Sequence, residues 1–200
     1  MANPPFVLAS SSPRRRELLA SLGIPFTVLK PEIDETQYNG ESPKAYVQRL
    51  SAEKAAAAAA QLSPPAVILA ADTVVIDNGE ILGKPADAQE ARITLRRLRG
   101  RMHHVCTAIT LYRLDEPEQR ITLLTCSEVH MRPYSDAEIE AYIATGDPFD
   151  KAGGYAIQHP EFAPVARVVG TETSVIGLPL ETLKAALVEI GWEFDSRSGA

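Results

Sequence analysis

The sequence is short of several features that mark specialised proteins. It holds two cysteines in 200 residues, Cys106 and Cys126, each inside an apolar, β-like run. A structural disulfide or a zinc cluster is the lesser reading of so few cysteines, and both thiols are read as small buried hydrophobes in a reducing cytoplasm. No apolar run approaches the roughly 20 residues needed to cross a bilayer, and only "FVLA" precedes the first charges, unlike a secretory signal. Positive charge is in deficit, with 20 Lys and Arg against 26 Asp and Glu and a net charge of −6, which argues against nucleic acid or a membrane surface as partner. There is no glycine-lysine P-loop, no internal repeat and no long linker, so residues 1–200 are read as one domain. His103 and His104 are adjacent, so on a strand they face opposite sides and cannot chelate one metal.

What is present is an ordinary globular composition, 45% hydrophobic and 23% charged, with mixed element signals. Phe6–Ala9 reads as a short buried strand. Ser12 and Pro13 open a helix that closes at Gly23, with Leu18, Leu19 and Leu22 on its apolar side. A strand is expected at Phe26–Leu29, then an acidic segment, "KPEIDETQYNGES", and a long helix capped by Ser42 and running from Pro43 to about Gln61. "AVILAADTVVIDNGEIL" reads as strand, polar break, strand, with a turn at Asn78-Gly79. Capping boxes are expected at Asp87/Glu90, for a helix to Leu98, and at Ser135/Glu138, for a helix ending near Gly146. "HHVCTAITLYR" and "ITLLTCSEVHM", separated by "LDEPEQ", predict an antiparallel hairpin. A strand near Ala166–Val169 and a helix over Leu180–Ile190 complete the chain.

Six stretches carry candidate chemistry. In "LASSSPRRRELL" three arginines crowd the first helical turn, where the macrodipole already makes each cation unfavourable by about 0.3–1 kcal/mol. A bound polyphosphate would turn that crowding into attraction, because the free N–H groups of a helix start and forked guanidiniums both suit phosphate oxygens. A solvated basic helix end is the competing account. Asp72 interrupts the apolar "ILAADTVV" run, so a metal ion, a positioned water or a strand-ending Asx turn must account for it. Lys84 in "GKP", Lys54 in "SAEKAAA" and Glu35 in "EIDE" are each compatible with plain solvent exposure. The paired glycines of "DKAGGYAIQ" permit either close backbone approach to a ligand or a simple turn.

In order and spacing, "LASSSPRRRELL", the acidic pair at 34–35, "EKA", "ADTVV", "GKP", "GRMHHVCTA", "DKAGGYAIQ" and "VIGLPL" resemble the Maf proteins, nucleoside triphosphate pyrophosphatases, over nearly the whole chain. The "DKAGGYAIQ" version is similar to the branch that hydrolyses dTTP and UTP rather than the one acting on 7-methyl-GTP. The resemblance implies an α/β fold, an elongated mixed β-sheet flanked by helices, with two lobes and a central cleft, as in Maf and ITPase enzymes. It implies that Asp72 is the acidic catalytic residue, deprotonating the water or holding the metal, and that Ser10, Arg14, Arg15, Lys54 and Lys84 bind phosphate. Arg14, Thr73 and Gln158 fall on the specificity positions. Glu35 and Asp72 would hold a divalent cation, Mg²⁺ or in its place Mn²⁺ or Co²⁺, which suits carboxylate oxygens.

The implied reaction is attack of water on the α-phosphorus, releasing a nucleoside monophosphate and pyrophosphate, as housekeeping of nucleotide pools by a cytoplasmic homodimer. The triphosphate is the expected partner, with no nucleic acid and no membrane. Two departures stand out: Met102 precedes His103 where relatives often carry threonine or glutamate, and "HPEFAPVARVVG" follows Gln158 in place of a glycine-rich turn. The alternatives are the 7-methyl-GTP branch and a non-catalytic nucleotide-binding regulator of cell division.

Overall fold

The computed structural model describes residues 3–115 and 119–194. Seven strands, β1 (Phe6–Ala9), β2 (Phe26–Leu29), β3 (Val67–Asp77), β4 (Glu80–Leu82), β5 (Met102–Arg113), β6 (Arg120–Met131) and β7 (Val165–Val169), form one mixed sheet. The order is β2-β1-β3-β5-β6-β7, with β4 paired to β3. β1 lies parallel to both β2 and β3, whereas β3–β4 and β6–β7 are antiparallel. Six helices accompany the sheet: α1 (Pro13–Ala20), α2 (Pro43–Ala59), α3 (Ala88–Leu98), α4 (Asp136–Ala144), α5 (Glu172–Ile176) and α6 (Leu180–Glu189). The mixed α/β architecture expected from the sequence is therefore observed. None of the described helices is long and apolar enough to cross a membrane.

The chain divides into two compact units, Met1–Asp72 with Thr107–Thr125 and Gly177–Ala200, and Thr73–Cys106 with Cys126–Ile176. In the first, strand alternation sends Phe6, Leu8, Val67, Leu69 and Ala71 into one core with Leu19, Leu183 and Trp192. The intervening Val7, Ala9, Ile68 and Ala70 turn the other way, onto Ala55 and Ala58 of α2. Alanines on that helix face let α2 lie close to the sheet. In the second unit Leu95, Leu98, Val105, Val129, Tyr134, Ile139 and Tyr142 form a separate core.

Three expectations need correction. Cys106 and Cys126 are not free thiols: they form a disulfide between neighbouring strands β5 and β6. The hairpin register brings them opposite, with their Cα atoms 4.1 Å apart, as it brings Thr110 opposite Thr122. Asp72 does not break the β3 strand, which runs unbroken for 11 residues. A carboxylate is tolerated there because a cation meets it, as described below. At α3, Asp87 caps the Glu90 N–H at 2.9 Å, but the Glu90 carboxylate accepts from Ala86 N rather than closing a reciprocal box. The Ser135/Glu138 box is complete, and α5, five residues long, is an element that the sequence did not announce.

Candidate active site

The site residues of the first unit follow from the periodicity of β3. Ile68 and Ala70 face α2, so Asp72, two residues on, points to the same side, past the point where the β1 ladder ends at the Ala9–Ala70 pair. On α2, Ser51, Ala55 and Ala58 face the sheet, and the Ser51 hydroxyl bonds Ala70 O at 3.3 Å. Lys54 lies one turn from both Ser51 and Ala58, on that face. Its Nζ donates to Asp72 Oδ1 at 2.6 Å and also meets Glu35 Oε1 at 2.8 Å. Lys54 and Asp72 are mostly buried, with side chains 14% and 13% exposed, while Glu35 reaches in from the solvent-exposed loop after β2. One ammonium thus holds two carboxylates that would otherwise repel.

The loop after β1 supplies the second half of the unit's polar cluster. Ser10 is buried, and its hydroxyl accepts from Ser12 N at 3.2 Å and from an Arg15 guanidinium nitrogen at 3.3 Å. Ser12 caps α1 and Pro13 occupies its first turn, as the sequence predicted. Arg15 also donates from Nε to Gly177 O at 2.9 Å. Burial draws its guanidinium below the ordinary arginine range, opposed by the negative charge of Asp72, reinforced by repulsion from Arg14 and opposed again by Glu35. Arg14 is half-buried, whereas Arg16 is exposed. The three arginines are therefore not equivalent: Arg15 is bound into the fold and Arg16 is not.

Thr73, Lys84 and Gln158 belong to the second unit. Thr73 is half-buried in β3, and Lys84 is exposed between β4 and α3. Gln158 is exposed in a turn and borders a shallow pocket of about 170 Å³, lined also by Ile157, Val165, Arg167 and Glu172. The segments bearing Lys84 and Gln158 are joined, since Gly153 N donates to Gly83 O at 2.9 Å. Gly153 and Gly154 both have left-handed φ, +70° and +68°, and a Cβ on Gly154 would lie 2.9 Å from the Pro85 ring. Glycine is needed at both places by conformation and by close approach.

Residues that sequence reasoning passed over form a hydrogen-bond network around the glycine pair. Ala156 N donates to the Tyr142 hydroxyl at 3.0 Å, and that hydroxyl donates to Asp147 at 2.5 Å. Lys151, nearly buried, donates to Asp147 and Asp150. His103 shares a 2.7 Å hydrogen bond with the buried Tyr155 hydroxyl. His104 faces outward, as adjacent strand positions must. Only the placement of lysine and tyrosine inside a glycine-marked loop hinted at such a network.

Among the described residues no group of three or more His, Cys, Asp or Glu side chains could hold a metal. Glu35 and Asp72 nevertheless fit a hard divalent ion: both are carboxylates, and both already converge on a single cation. Mg²⁺ is commonly held by one or two carboxylates, with water and substrate phosphate completing its shell.

A cation-bridged acidic pair and a serine- and arginine-lined helix start thus lie in one unit of the mixed sheet. The chain belongs to the family described as Maf-like protein, whose model matches residues 5–190. It is 44% identical over 186 residues to the dTTP/UTP pyrophosphatase of Symbiobacterium thermophilum, covering 93% of this chain and 94% of that one. The dTTP/UTP pyrophosphatases of Cereibacter sphaeroides and Myxococcus xanthus are each 48% identical, over 92% of this chain and 94% and 92% of theirs.

Proposed function

We propose that the protein hydrolyses dTTP and UTP to the nucleoside monophosphate and pyrophosphate. The observation that carries the reading is the Lys54 ammonium shared by Asp72 and Glu35, in the same unit as the Ser10–Arg15 loop. The identities with dTTP/UTP pyrophosphatases over nearly full length support the choice of substrate.

In this reading a water oxygen forms a bond to the α-phosphorus while the bond from that phosphorus to the bridging oxygen of the β-phosphate breaks. Asp72 accepts the water's proton, and the electron pair of the broken bond leaves on pyrophosphate. A divalent cation held by Glu35 and Asp72 would supply further neutralisation of phosphate charge. Lys54 and Arg15, with Arg14 at the helix start, stabilise the charge spread over the phosphate oxygens. Binding alone does not need an acidic pair poised beside these cations, which favours an enzyme over a nucleotide-binding regulator.

Gln158, with Thr73, reads the base. Uracil and thymine present an N3–H donor flanked by carbonyl acceptors, which a carboxamide meets with its own acceptor and donor; cytosine has an acceptor at N3 and mismatches. Sites that hydrogen-bond a specific group can discriminate by roughly 10⁴-fold, because the wrong ligand leaves buried polar atoms unpaired. Gln158→Ala should flatten the ratio of kcat/KM for UTP over CTP more than it slows hydrolysis of CTP. An unchanged ratio would refute the assignment of Gln158.

A further inference from the structure

We infer that Arg49, with Tyr46, is a positioning residue for Glu35, setting how tightly the Glu35–Asp72 pair takes a divalent cation. The inference rests on the metal reading above and assigns a role to two residues outside the acid–cation cluster. Glu35 lies in the stretch between β2 and α2, residues 30–42, which has no helix or strand and is largely exposed. A ligand on such a segment must be ordered before it can bind, and ordering the backbone costs conformational entropy. Whatever pins the segment therefore stabilises the bound ion indirectly.

Arg49 does the pinning from a rigid helix. Its fork closes on the Glu41 carboxylate at 2.7 and 2.9 Å. A third nitrogen meets Glu53, one turn along α2, at 3.1 Å. The same fork donates to Thr36 O at 3.0 Å, on the residue next to Glu35. Its plane lies 3.9 Å from the centre of the Tyr38 ring. Three hydrogen bonds within the segment finish the staple: Tyr38 N to Glu41 at 3.1 Å, Glu41 N to Tyr38 O at 3.0 Å, and Thr36 N to Asp34 at 2.9 Å. Hydrogen bonding to Glu41 also raises the Arg49 basicity above its ordinary value, so the staple is charged at any working pH.

Tyr46 acts on Glu35 itself, donating from its hydroxyl to Glu35 O at 2.8 Å. Tyr46, Arg49 and Glu53 recur at three- and four-residue spacing on the helix that also carries Lys54. Helix α2 thereby fixes both the cation of the cluster and the loop that brings its second carboxylate.

The test is Mn²⁺ affinity, read by electron paramagnetic resonance with the full-length protein and a non-hydrolysable dTTP analogue, alongside the Mg²⁺ dependence of turnover. Arg49→Met and Arg49→Lys should each weaken Mn²⁺ binding and raise the half-activating Mg²⁺ concentration about 5- to 30-fold. At saturating Mg²⁺, kcat and the KM for dTTP should stay within about threefold of wild type. The sign is informative, since removing a nearby positive charge would by electrostatics alone strengthen cation binding. A generally loosened fold would lower kcat and melting temperature without singling out the metal.

Tyr46→Phe keeps every ion pair and should give a smaller loss in the same direction, which preserves the test where Arg49→Met does not fold. Unchanged Mn²⁺ affinity in folded Arg49 variants and in Tyr46→Phe overturns the inference. The Glu35→Gln protein separates the two levels. If it binds Mn²⁺ more weakly while the Arg49 and Tyr46 variants do not, only the positioning role falls; if it binds Mn²⁺ as wild type does, the metal reading falls with it.

Discussion

Asp72→Asn separates the chemistry of the site from its stability. The substitution preserves shape and removes one charge from a side chain that is 13% exposed and 2.6 Å from the Lys54 ammonium. A charge-assisted hydrogen bond contributes about 1.5–3 kcal/mol net and a neutral one about 0.5–1.5, so the fold should lose roughly 1–2 kcal/mol. Lys54 keeps its second partner, Glu35, at 2.8 Å and is not left unpaired. For a chain of this size that loss lowers the melting temperature by only a few degrees, at about 2–4 °C per kcal/mol. Loss of a positioned base costs at least about 10²-fold in turnover, or about 2.7 kcal/mol of barrier. The assay is pyrophosphate release at saturating dTTP and Mg²⁺, with the melting curve taken on the same preparation. A folded Asp72→Asn protein that turns over at the wild-type rate would refute the role given to Asp72.

Stability should also depend on pH through His103, whose pKa falls from 6.5 to about 4, chiefly by burial, opposed by Asp77 and assisted by His104 and His130. Because the folded value lies below the unfolded one, its contribution is complete above pH 6.5 and is lost as pH falls toward 4, at up to about 1.4 kcal/mol per unit. Urea midpoints of wild type against His103→Gln check this, and equal slopes over pH 6.5–4 count against it. Glu138, held down to about 2 by its bonds to Ser135 and Arg132, begins to lose its contribution as pH falls through its ordinary value of 4.5, and the difference between wild type and His103→Gln, both of which keep Glu138, isolates the histidine. Reducing the Cys106–Cys126 bond, which joins residues 20 apart, should cost about 3 kcal/mol by the loop-closure relation. Coincident urea curves with and without dithiothreitol contradict that expectation. A non-hydrolysable triphosphate should raise the melting temperature, and the rise should shrink in Arg15→Ala far more than in Arg16→Ala; equal small effects favour a merely solvated basic turn.

Much of the fold was legible because local signals agreed with tertiary demands. Ser12-Pro13, Ser42-Pro43 and Ser135…Glu138 are helix starts whose side chains satisfy free backbone donors, and each is a cap in the structure. What sequence could not show was register. Cys106 and Cys126 look like isolated apolar positions until β5 and β6 pair, and only the pairing makes them partners. Asp72 read as a break because a charge in an apolar strand is costly; the cation that offsets it comes from Lys54, 18 residues away on another element. Arg49 was not singled out in the sequence at all, because its contacts with Thr36, Tyr38 and Glu41 depend on how an irregular segment folds back.

The central claim is that this site cleaves between the α- and β-phosphates of pyrimidine triphosphates bearing an N3–H. Following dTTP, UTP, CTP, ATP and 7-methyl-GTP by ³¹P NMR with the purified protein and Mg²⁺ tests it most directly. dTTP and UTP should give the monophosphate and pyrophosphate well ahead of the other three. Release of orthophosphate and a nucleoside diphosphate, or faster hydrolysis of 7-methyl-GTP than of UTP, would contradict it.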